Sequence, residues 1–160
     1  MKRKILKIIK FINKTLKPSD INWCLIGSVS LFLQGVKIQP HDIDILTDKE
    51  GAYKINKLFK KYEIQGVKPS KTELFYSFFG RFVIKGILVE IAGDMSIFLN
   101  GKWSKEIMKR LTLKKYVNYK GIIIPVSPLK EQLESYKLLN REKDSEKIRI
   151  LQEYLGFDKK

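Results

Sequence analysis

The segment from Trp23 to Thr47 leaves this chain the fewest ways to fold. It starts with an apolar run, Trp23-Cys24-Leu25-Ile26, halts at Gly27-Ser28, and ends on Asp42-Ile43-Asp44-Ile45. The order reads as strand, turn, short helix, strand. Successive strand side chains point to opposite faces, so Asp42 and Asp44 share one face, about 7 Å apart along the chain, while Ile43 and Ile45 face a core. Carboxylates placed this way repel each other unless water or a cation intervenes, and hard divalent cations such as Mg²⁺ or Mn²⁺ favour oxygen ligands. Gly27 permits a tight turn or a close backbone approach. Ser28 is expected to cap a helix over Val29–Gln34, whose free N–H groups would form an anion site. A phosphate cradle beside a cation clamp suits chemistry on a nucleoside triphosphate. Neither of the commoner phosphate motifs is present: no Gly-Lys-Ser/Thr follows the turn, and the chain contains no G-x-G-x-x-G.

A hydrophobic residue, Gly27, Ser28, a short helix and Asp42-Ile43-Asp44, with thirteen residues between Ser28 and Asp42, together resemble the signature of the DNA polymerase beta-like nucleotidyltransferase superfamily. Its small members include aminoglycoside and lincosamide nucleotidyltransferases, toxin-type enzymes of abortive-infection systems, and stand-alone predicted nucleotidyltransferases of bacteria and archaea; the last are the nearest in pattern. The resemblance spans about residues 20–155. It implies an α/β (α+β) fold, a mixed twisted β-sheet flanked by helices with two C-terminal helices. It also implies a third carboxylate on a later strand, and Glu90, alone in the apolar run Gly86-Ile87-Leu88-Val89-Glu90-Ile91, is the match. By this likeness Asp42 and Asp44 would hold Mg²⁺ (or Mn²⁺) against a triphosphate, and Gly27 and Ser28 would hold its distal phosphates. Glu90 would complete the metal site or take a proton from a hydroxyl acceptor. The charged stretch Arg141-Glu142-Lys143-Asp144 resembles an Arg-x-Lys-Asp element of relatives, which makes Lys143 a candidate phosphate ligand. The implied partners are an NTP, ATP first, and an acceptor that is a small molecule, a protein or an RNA. Pro40-His41 depart from the arginine, serine or threonine often found ahead of the first aspartate, and Glu90 departs from the commoner aspartate. The second departure keeps open an alternative, a catalytically degraded module of the same fold that binds RNA or a partner protein. Asp94, close to Glu90, competes for the third position but is expected to cap a short helix ending near Asn100-Gly101.

The rest of the chain reads as scaffold. Its 160 residues suit one domain, 1–160, with a core over about 20–126 and C-terminal helices over about 127–156. A hydrophobic share of 44% with 31% charged residues is that of a globular chain. No apolar run is long enough for a membrane span, and lysines interrupt the N-terminal segment too often for a signal peptide, so a cytoplasmic location is expected. One cysteine and one histidine exclude a cysteine or histidine metal cluster. The net charge of +15 admits a nucleic-acid partner. However, 27 of the 32 basic residues are lysine, whereas bidentate phosphate recognition favours arginine.

Ile5, Ile8, Ile9, Ile12 and Leu16 mark one face of a helix over residues 2–16. Ala52, Ile55, Leu58 and Phe59 mark another, opened by the polar turn at Thr47-Asp48. Strands are expected at Tyr62-Glu63-Ile64 and over Leu74–Phe79, and a hairpin turning at Lys85-Gly86 pairs Phe82-Val83-Ile84 with Ile87-Leu88-Val89. Trp103 is expected to plug the edge of the core. A second hairpin, over 114–126, turns at Lys120-Gly121 with Ile122, Ile123 and Ile124 buried. Ser127 caps a helix with Pro128 at its first position, and a last helix runs from Ser145 to Leu155, stopped by Gly156.

Overall fold

The computed structural model describes residues 2–157. The N-terminal helix, α1 (Lys2–Leu16), buries the five apolar residues that its periodicity marks. Strand β1 (Trp23–Ile26) leads directly into helix α2 (Gly27–Leu33), and β2 (Ile43–Thr47) returns antiparallel to β1, with Leu25 opposite Ile45 and Ile26 opposite Asp44. Helix α3 (Lys49–Leu58) is capped by Asp48, whose carboxylate accepts the Gly51 N–H at 2.6 Å. Three long strands follow: β3 (Glu63–Lys71), β4 (Phe75–Ile84) and β5 (Ile87–Leu99). After β6 (Lys102–Ser104) and the short helix α4 (Lys109–Thr112) come the hairpin β7 (Lys115–Tyr119) and β8 (Ile122–Val126), then helices α5 (Leu129–Leu139) and α6 (Ser145–Leu155).

The strands form one mixed sheet ordered β3-β4-β5-β2-β1-β8-β7, with β6 paired to β5. β2 runs parallel to β5, and β1 parallel to β8. Strand parity sorts the side chains. Trp23, Leu25, Ile43, Ile45, Val89, Ile91, Ile124 and Val126 join one core cluster with the apolar stripes of α1 and α3. The opposite face carries the other parity, Cys24, Ile26, Leu46 and Ala92, together with Leu111 of α4. That second face also bears the even-numbered carboxylates. α5 and α6 stand beside it, packing Leu133, Tyr136 and Leu151 against Leu31 of α2 and Val36.

Several expectations need correction. α2 begins at Gly27 with Ile26 in the cap position and no side-chain cap bond, so Ser28 is the second helical residue and not its N-cap. β4 is one strand across both segments expected there, because Gly80 and Arg81 continue the pairing with Ile91 and Glu90. β5 runs on to Leu99, so Asp94 caps no helix. It sits at a bulge in β5, with φ of +46°, where the register against β4 shifts between Tyr76 and Phe78. Leu58 is exposed at the end of α3, and Trp103 is 40% exposed, packed edge-on against Phe98 and Tyr76 instead of plugging the core. In β8 alternation exposes Ile123 and leaves Ile122 half-buried, so only Ile124 of the three isoleucines is buried. Pro128 takes the cap position of α5. Ser127 is buried just before it, its carbonyl accepting Gln34 Nε2 at 2.8 Å. Among the described residues no helix is long and apolar enough to cross a membrane.

Candidate active site

The parallel register of β2 and β5 sets Asp44 directly beside Glu90, and the antiparallel register of β1 and β2 sets Ile26, the residue before Gly27, beside Asp44. Asp42 lies one residue before β2 begins, in a bend, and is not in the strand itself. All three carboxylates line one cleft of about 280 Å³ with Gly27, Ser28 and Lys143. Sequence reasoning named these six residues from three separate stretches, and the fold brings them together. Asp94 and His41 are not among the residues lining it.

Gly27 fits this corner because it lacks a side chain. Its φ is +74°, in the left-handed region, and a Cβ there would stand 2.5 Å from Asp44 Oδ2. Its amide does not point free into the cleft. Gly27 N donates to Oε1 of Gln132, on α5, at 2.8 Å. The contact ties the strand-to-helix turn to the wall opposite and leaves Ser28 as the polar side chain of that turn facing the cleft.

The carboxylates are crowded. Asp44 is pushed up to about 7, first by burial and then by the neighbouring charges of Asp42 and Glu90; Lys147 and Arg110 oppose the shift. Glu90 is held aside, with Oε2 3.3 Å from Arg81 Nε on the adjoining strand β4. Among the described residues no group of three or more acidic, histidine or cysteine side chains stands ready-converged on one point. The donor set is nevertheless one that a hard divalent cation fits. It is all oxygen, and the burial and charge repulsion that together raise Asp44 are what a bound cation would offset.

Basic groups line the other wall. Arg141 Nε meets the buried Asp144 Oδ2 at 2.7 Å, and its guanidinium lies 5.5 Å from the centroid of the Phe75 ring. The Arg141 in the motif is therefore occupied in fixing the α5–α6 junction, and Lys143 is left at the cleft rim. Lys147, on α6, also lines the cleft, with Nζ 5.5 Å from the Tyr136 ring centroid. Sequence reasoning missed Arg110, Tyr136, Gln132 and Lys147. Tyr136 falls at helical spacing with Leu129, Leu133 and Leu139, which marks a packing face without placing its hydroxyl in the cleft. Nothing local distinguished Arg110 or Lys147 from the other basic residues of so lysine-rich a chain.

Comparison with known proteins agrees with this geometry. The sequence model of the family Aminoglycoside-2''-adenylyltransferase matches residues 8–151. A crystal structure of a candidate nucleotidyltransferase (TM1012) from Thermotoga maritima is 36% identical, covering 98% of this chain and 96% of that one, with a TM-score of 0.82. The lincosamide antibiotic adenylyltransferase LnuA, solved with lincomycin bound, shares the fold at 17% identity, over 91% of this chain and 95% of that one, with a TM-score of 0.58. ANT(2'')-Ia, solved in complex with adenylyl-2''-tobramycin, shares it at 12% identity, over 97% and 91% of the two chains, with a TM-score of 0.56. Among curated proteins none matches the sequence. The chain belongs to the aminoglycoside-2''-adenylyltransferase family, within the nucleotidyltransferase superfamily. Family and structural neighbours together support a nucleotidyltransferase activity.

Proposed function

We propose that this chain transfers a nucleotidyl group from a nucleoside triphosphate, ATP in the first instance, to a hydroxyl acceptor. The observation that carries the reading is the side-by-side register of Asp44 and Glu90, across a cleft from Lys143 and Lys147. Asp42 and Asp44 would hold Mg²⁺ or Mn²⁺, with Glu90 completing the set once turned from Arg81. When bound, such a cation neutralises phosphate charge and orients the triphosphate.

Ser28, Lys143 and Lys147 bind the phosphates. The acceptor oxygen attacks the α-phosphorus, the bond from that phosphorus to the bridging oxygen breaks, and pyrophosphate leaves carrying the electron pair of that bond. The hydroxyl proton would pass to a carboxylate, and Glu90, turned from Arg81, is the residue we assign to that role as the alternative to completing the metal site. The test is to incubate the protein with each α-labelled NTP, Mg²⁺ and fractionated cell extract. The expected outcome is a labelled acceptor with release of pyrophosphate, abolished by Asp42→Asn and by Asp44→Asn. Transfer that persists in both variants overturns the reading.

A further inference from the structure

Arg110 is an anomaly in this cleft. It lines the cavity yet is only 5% exposed, and burial pulls its guanidinium down to about 10. A buried cation ordinarily has a carboxylate partner, since the cost of desolvating it otherwise goes uncompensated. Among the described residues none lies within ion-pair distance of Arg110. Its Nε donates to the Ile107 carbonyl at 3.1 Å, and its Nη2 reaches only the Met95 thioether sulfur at 3.4 Å, a weak acceptor. Beside it Tyr136 of α5, 4% exposed and also lining the cleft, has a buried hydroxyl with no hydrogen-bond partner. Unsatisfied buried hydroxyls are destabilising and uncommon. A planar guanidinium fork and a hydroxyl donor, both desolvated and both short of an acceptor, match a tetrahedral oxyanion.

We propose that Arg110 and Tyr136 form a phosphate-binding subsite on the floor of the cleft, which holds a phosphate group of one of the two substrates. The inference deepens the nucleotidyl-transfer reading and rests on it for the nature of the cleft. Two sources share this chemistry: the outgoing phosphates of the nucleotide, or a phosphate carried by the acceptor. The subsite differs from Lys143 and Lys147, which line the cleft as single ammonium charges on flexible stems. Arg110 is fixed at Nε by Ile107 and presents a preset fork.

Calorimetric titration of the intact protein with inorganic pyrophosphate and with inorganic phosphate, in EDTA, tests it. Arg110→Lys and Tyr136→Phe both preserve net charge, so general attraction to a basic protein is held constant. Each is expected to weaken anion binding by about ten-fold or more, the scale of one hydrogen bond to a charged group. Tyr136→Phe should at the same time melt no lower than wild type, because it removes an unpartnered buried hydroxyl; a merely structural tyrosine would not give that combination. Repeating the phosphate titration with a saturating non-hydrolysable ATP analogue separates the sources. Loss of the phosphate signal assigns the subsite to the nucleotide, and its persistence assigns it to a phosphorylated acceptor. Wild-type affinity for both anions in Tyr136→Phe overturns the proposal, as does failure of the wild-type protein to bind either. These titrations do not depend on turnover. Anion binding at Arg110 without transfer would sink the enzymatic reading alone, and transfer with unaltered anion binding would sink this one alone.

Discussion

Replacing Asp44 by asparagine should stabilise the cation-free protein at alkaline pH and do almost nothing in acid. The folded-state carboxyl titrates near 7 against an ordinary value of 3.8. Between those values the folded protein keeps a proton that the unfolded chain has released, so folding stability falls as pH rises through that window and is lowest above it. The full difference is worth about 4 kcal/mol at 1.36 kcal/mol per pH unit, and water at the cleft mouth reduces it to roughly 2–4 kcal/mol. Asparagine has nearly the same shape and never ionises, and among the described residues no side-chain hydrogen bond or ion pair to Asp44 would be lost. For a chain of this length the gain corresponds to a rise in Tm of roughly 5–15 °C at pH 8.5, shrinking below about 1 kcal/mol at pH 4. Thermal melts followed by circular dichroism in EDTA at both pH values measure it. Added Mg²⁺ at pH 8.5 should lift wild type toward the variant and leave the variant in place. An equal shift at both pH values would refute the assignment of the penalty to Asp44 ionisation.

Gly27→Ala should lower stability by about 1–3 kcal/mol, from the left-handed backbone and the contact with Asp44 Oδ2, and should abolish transfer; a fully active variant would show that the turn relaxes without moving Asp44. Glu90→Gln is expected to reduce kcat by about 10² or more, as for loss of a positioned proton acceptor, with unchanged far-UV dichroism; turnover close to wild type would remove Glu90 from the chemistry. Ser28→Ala should raise KM for the nucleotide more than it lowers kcat, since a ground-state phosphate contact is lost. An unchanged KM would place the triphosphate elsewhere.

What could be read from the sequence was whatever alternates or recurs locally. The parity of Asp44 against Ile43 and Ile45, the five-residue stripe of α1 and the stop at Gly156 all follow from short-range geometry, and the fold has them where the pattern puts them, whereas Asp42 falls in the bend just before β2. Glu90 was legible because a lone charge inside an apolar strand is costly without a reason. Asp94 misled because Gly93-Asp94 looks like the start of a helix. The structure absorbs the same residues as a bulge, which lets β5 stay paired to β4 on either side of it and to β6 beyond it. The far wall was hidden for a different reason. Gln132 meets Gly27 across 105 positions, and Arg110, beyond its local bond to Ile107, owes its environment to Met95 and Tyr136, two separate elements that only tertiary packing brings to it.

The position of β2 in the sheet has a dynamic consequence. It is hydrogen-bonded on both sides, to β1 and to β5, so its amides can exchange with solvent only through the rarest, near-global openings. α6, by contrast, buries a single residue, Leu151, and belongs to the class of segments that open locally. The two halves of the cleft should therefore live on different clocks: an acidic floor whose backbone stays protected for as long as the protein is folded, and a basic wall whose outer helix exchanges through smaller, local openings.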